Sequence, residues 1–82
     1  MALGKYTTAA GDASIALNYD NYANGRHSFA AGNGNIVNGA AAASFGHINT
    51  VDGNYAFAEG NNGIASGDSA HVEGRNSEAL GG

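Results

Sequence analysis

Small and large side chains alternate along this chain in short bursts, and the bursts return at a fixed interval. A unit of small residue, any residue, glycine recurs every seven positions, as in Ala2-Leu3-Gly4, Ala9-Ala10-Gly11 and Ala30-Ala31-Gly32. Its glycine column runs through Gly4, Gly11, Gly25, Gly32, Gly39, Gly46, Gly53, Gly60, Gly67, Gly74 and Gly81, with Asn18 as its one exception. Asparagine is the next residue after glycine to accept positive φ. Self-similarity at a fixed period identifies an array of structural repeats rather than an ordinary globule.

The residue between the small position and the glycine doubles the period. Alternate copies carry Leu3, Leu17, Ala31, Phe45, Glu59 and Glu73, and the copies between them carry Ala10, Asn24, Asn38, Asp52, Ser66 and Leu80. One column is apolar in its first four members and the other is mostly polar. The repeat is therefore a coil of fourteen residues with two unlike halves. Two positions before the first column lie Ile15, Phe29, Ala43, Phe57 and His71, flanked by Ser14, Ala16, Ser28, Ala30, Ala42, Ser44, Ala56, Ala58, Ala70 and Val72. That alternation has the period of two that a strand requires.

A coiled coil is excluded, because glycine on a seven-residue column costs a helix about 1 kcal/mol each relative to alanine. Collagen is excluded by the glycine spacing and the absence of proline. What remains is an all-β solenoid of parallel strands, each coil running strand, turn, strand, turn. The whole of 1–82 reads as one domain of just under six coils. The glycines fall after the strands, as turning points. The small residues point into a narrow lumen. The large ones point out and form a ladder: Leu3, Ile15, Leu17, Phe29, Ala31, Ala43, Phe45, Phe57, then Glu59, His71 and Glu73. An exposed apolar ladder of this kind marks an interface.

Composition adds to this. Leu, Ile, Val and Phe are few, so an 82-residue chain built on Ala and Gly is marginal alone, and self-association is the expected remedy. No cysteine is present, which removes disulfides and thiolate metal sites. The formal charge of -4, with Lys5, Arg26 and Arg75 scattered, speaks against nucleic acid as a partner. No apolar run is long enough to insert into a membrane. Met1-Ala2-Leu3-Gly4 enters the repeat directly, which reads as a chain without a secretion signal or as a fragment.

Ser28-Phe29-Ala30-Ala31-Gly32, Tyr55-Ala56-Phe57-Ala58-Glu59-Gly60 and Ser69-Ala70-His71-Val72-Glu73-Gly74 resemble the head repeat of YadA-type trimeric autotransporter adhesins. The same repeat is found in bacteriophage tail fibres and tailspikes. The resemblance covers nearly the whole chain. It implies a left-handed parallel β-roll, three of which pack around a threefold axis as a homotrimer. It also implies attachment to a cell surface, on a virion fibre or a bacterial exterior. No coiled-coil stalk or membrane anchor accompanies the repeat here, and the Ala-Glu-Gly variant favours the phage form.

Three groups are candidates for chemistry. His71 and Glu73 share a strand face, and Glu59 stacks one coil away. Together they would gather near the axis, as an ion site suited to Zn²⁺ or as a hydrogen-bonded polar plug. The plug is the blander reading, so no metal is assigned. The loops after alternate glycines are polar, and Tyr6, Tyr19 and Tyr22 make the best patch for a glycan or protein receptor, against ordinary turn chemistry. His27 and His47 read as exposed turn residues. No catalytic motif or cofactor loop is present. A non-enzymatic adhesive or structural segment is the leading expectation. An ice-binding solenoid and a plain architectural spacer are the alternatives.

Overall fold

In the computed structural model, which describes residues 2–75 and 78–79, the chain is a parallel β-solenoid with coils of fourteen residues. Each coil contributes one long and one short strand. In chain order they are β1 (Ala2–Lys5), β2 (Thr8–Ala9), β3 (Ile15–Tyr19), β4 (Tyr22–Ala23), β5 (Phe29–Asn33), β6 (Ile36–Val37), β7 (Ala43–His47), β8 (Thr50–Val51), β9 (Phe57–Asn61), β10 (Ile64–Ala65), β11 (His71–Arg75) and β12 (Glu78–Ala79). The long strands form one parallel sheet in the order β1-β3-β5-β7-β9-β11, and the short strands form the other. Register steps by one coil throughout, so Ala16 pairs with Ala30 and Ala30 with Ser44.

The lumen is filled as the alternation requires. Ala16, Ala30, Ser44, Ala58 and Val72 point inward from the long strands, and Ala23, Val37, Val51 and Ala65 from the short ones. All are buried. Because these side chains are small, the two sheets approach closely, and the chain is a slab of 30 × 23 × 10 Å. Its thin dimension matches the roughly 10 Å at which sheets stack.

The two sets of glycines occupy different places in the coil. Gly11, Gly25, Gly39, Gly53 and Gly67 follow the short strands, at the corner. Gly4, Gly32, Gly46, Gly60 and Gly74 lie inside the long strands and do not close them. Gly32 has φ 120, and a Cβ there would stand 2.0 Å from the carbonyl oxygen of Gly46 on the next coil. A Cβ at Gly25, whose φ is not positive, would stand 2.0 Å from the Gly39 oxygen. Close approach between coils, more than turning, is what demands glycine. Asn18 takes φ 85 in the same column. Gly81 lies outside the described residues.

The sharp turns use other residues. Tyr6, Asp20, Ile48 and Asn62 hold one left-handed position per coil, and Ala13, His27, Ala41, Tyr55 and Ser69 hold the second. Each coil thus bends twice through a residue of positive φ, and most of these are not glycine.

Beside the first bend a column of asparagines is buried. Asn21, Asn35 and Asn49 are fully enclosed. The Oδ1 of each accepts a backbone N–H from the next coil: Asn35 N–H at 2.9 Å, Asn49 N–H at 3.1 Å and Gly63 N–H at 2.7 Å. The Nδ2 of Asn35 donates to the carbonyls of Ala31 (2.6 Å) and Gly46 (3.0 Å), and Asn21 and Asn49 repeat the pattern. Each amide is therefore saturated, which is the condition for burying one at no net cost.

Candidate functional site

The outer face of the long-strand sheet carries two side-chain columns. One runs Ile15, Phe29, Ala43, Phe57 and His71, and the other Leu3, Leu17, Ala31, Phe45, Glu59 and Glu73. These eleven residues are the sequence-predicted ladder, and all stand on this one face. Alternation along each strand puts them outward for the same reason that Ala16, Ala30 and Ala58 are inward.

The columns interlock. Phe29 packs against Phe45 across the diagonal with ring centroids 5.0 Å apart, and Phe45 against Phe57 at 5.6 Å. Ala43 lies between Phe29 and Phe57 in its column, and Ala31 between Leu17 and Phe45 in the other. These alanines leave the room that the diagonal rings fill. Stacking covers part of each side chain and leaves the outer part bare. Ile15, Leu17, Phe29 and Phe57 are half-buried, while Phe45 is 42% and Leu3 56% exposed. Aromatic pairs at these separations contribute about 0.5–1.5 kcal/mol each beyond their buried area.

Toward the last coils the face changes chemistry. Phe57 pairs in register with His71, and the two rings lie 5.2 Å apart. Glu59 pairs in register with Glu73. The Nε2 of His71 stands 3.5 Å from a carboxylate oxygen of Glu73. One ligand atom from each of Glu59, His71 and Glu73 lies within 4.8 Å of the others, and all three residues are exposed. The structure thus brings together the three residues that the spacing grouped.

The tyrosines divide. Tyr6 and Tyr19 meet edge to face at 5.8 Å, with the Lys5 ammonium 5.2 Å from the Tyr6 ring centre. Tyr22 lies on the other sheet, in register with Thr8 and Ile36, and is exposed there. The loops also hold what the reading of them as polar turns overlooked: their third residue, Asn21, Asn35 or Asn49, faces inward. Its recurrence at a spacing of fourteen was the available signal.

The short-strand side ends in a polar surface ladder. Asn24 Nδ2 donates to Asn38 Oδ1 at 3.0 Å, and Asn38 Nδ2 to Asp52 Oδ1 at 2.8 Å. One broad side of the slab therefore carries the ring-stacked ladder, and the opposite side carries this amide column beside the mixed column Thr8, Tyr22, Ile36, Thr50 and Ile64. No family model matches the chain, and no curated protein matches it.

Proposed function

We propose that this chain is a non-enzymatic segment of a homotrimeric fibre or head that attaches to a cell surface, of the YadA-like β-roll type. Three chains pack through the outer face of the long-strand sheet. The observation that carries this reading is the unbroken outward ladder from Leu3 through Phe57, half-buried to exposed along its length, on a slab whose buried apolar side chains are only Ala and Val. Such a chain buries little apolar surface by itself, and the ladder is a contiguous apolar surface left to cover. Trimer formation would also present three copies of any receptor contact, including Tyr6 and Tyr19, and so raise weak affinity by avidity. The place of such a segment is a phage tail fibre or a bacterial exterior.

Charge on the ladder tests the reading. Phe29→Asp and Phe57→Asp each put an unpaired carboxylate into the packed face, and assembly should be lost by sedimentation. Asn24→Asp, in the amide column of the opposite side, should leave assembly intact. Equal behaviour of the two kinds of variant would refute the assignment of faces. Binding to whole cells or a glycan panel separates an adhesive segment from a spacer. Ice binding finds no support in the short-strand face, whose outward column of Thr8, Tyr22, Ile36, Thr50 and Ile64 is irregular in size.

A further inference from the structure

We propose that Glu59, His71 and Glu73 of one chain bind a divalent transition-metal ion, with Zn²⁺ the ion their donor set fits. The parallel register stacks Glu59 on Glu73, one strand spacing of about 4.8 Å apart. Two carboxylates stacked directly repel each other. Among the described residues no Lys or Arg nitrogen lies within 4.0 Å of either carboxylate to offset that repulsion. A bound cation is the partner that makes the stacked pair favourable.

The third donor is already oriented. His71 packs on Phe57 of the preceding coil, ring centres 5.2 Å apart, and its Nε2 faces Glu73 at 3.5 Å. Packing on Phe57 places the imidazole beside the carboxylates and leaves its Nε2 directed at Glu73. The three donor atoms lie within 4.8 Å of one another. A tetrahedral ion with bonds of about 2.0–2.2 Å needs donors somewhat closer than that. The shortfall is about an ångström, which side chains 54% and 70% exposed can close by rotation.

The donor chemistry selects the ion. One imidazole nitrogen and two carboxylate oxygens suit Zn²⁺ and its neighbours, with water completing the shell. Ca²⁺ asks for six to eight oxygens, and Mg²⁺ keeps its own waters. Because all three ligands come from one chain, the site does not rest on trimer formation.

The experiment is calorimetric titration of the whole metal-free chain with zinc chloride, beside calcium and magnesium chloride, with sedimentation of the same samples. The expected result is one zinc per chain and no comparable heat from calcium or magnesium. Glu59→Gln and His71→Ala should each weaken zinc binding by at least 10–100-fold, the range found even for lesser perturbations of metal sites. His47→Ala should leave it unchanged. Zinc at about 100 times its dissociation constant should raise Tm by about 10–20 °C in the parent chain and not in His71→Ala. Zinc binding that survives both Glu59→Gln and His71→Ala, or that is no tighter than millimolar, overturns the proposal. Sedimentation distinguishes this from the assembly question, since a chain that binds zinc as a monomer supports the site and contradicts only the trimer.

Discussion

Asn35 accepts the backbone N–H of Asn49, one full coil later, on its side-chain Oδ1 at 3.1 Å, and both residues are fully buried. The link repeats between Asn21 and Asn35 and between Asn49 and Gly63. It joins each coil to the next at the point where the long strand bends into the short one. Removing one amide strands the N–H of Asn49 and weakens the satisfaction of the Ala31 and Gly46 carbonyls. Asn35→Ala should cost about 2–4 kcal/mol in denaturant unfolding. Asn24→Ala, which breaks only an exposed bond to Asn38, should cost under about 1 kcal/mol.

A buried hydroxyl lies nearby without such a partner. Ser44 Oγ is enclosed in the lumen and makes no hydrogen bond. Its neighbours in the column, Ala30 and Ala58, have none to satisfy. Ser44→Ala should therefore stabilise the chain by about 1 kcal/mol. Thermal unfolding reads this as a rise of roughly 4–8 °C in Tm for a domain of this size. A fall in Tm would mean that the hydroxyl is bonded in solution.

Ile48 occupies a left-handed bend at φ 55, where a β-branched side chain is strained. The same column holds Asp20 and Asn62, residues that tolerate this conformation. Half of the Ile48 surface is exposed, so little packing is lost on replacement. Ile48→Asn should raise stability by about 1 kcal/mol, measured by the same thermal scan. An unchanged or lower Tm would assign Ile48 a contact that compensates its strain.

Gly32 tests the close approach of coils. A methyl group at that position meets the Gly46 carbonyl at 2.0 Å, and the backbone there has φ 120. Gly32→Ala should cost more than about 4 kcal/mol and leave the chain largely unfolded by circular dichroism. Asn18→Gly, in the same column, relieves a residue at φ 85 but loosens the unfolded chain, so it should change stability by less than about 1 kcal/mol.

The contrast among these residues marks what the amino-acid pattern makes legible. Ala16, Ala30 and Ala58 announce themselves as inward because strand alternation and small size agree at every coil. Phe29, Phe45 and Phe57 stand opposite them for the same reason, and Glu59, His71 and Glu73 fall together because a register of fourteen residues stacks them. Asn21, Asn35 and Asn49 are harder, since asparagine in a polar loop is also the ordinary turn residue. Only their exact recurrence separates a buried ladder from surface turns. The left-handed bends are legible only where Asp20, His27, Gly34 or Asn62 occupies them. Tyr6, Ala41, Ile48 and Tyr55 share a backbone conformation imposed by stacking between coils, and no side-chain chemistry advertises it. Gly32 and its column were visible, yet their cause lies in contact with the neighbouring coil and not in a turn.

The mass of the particle in solution, by light scattering on the unmodified chain, bears most directly on the packing of the Leu3-to-Phe57 ladder. Packing of three chains through that face predicts a particle of three times the 8.1 kDa of the chain, and its loss in Phe57→Asp. A stable, folded 8.1 kDa monomer would contradict it.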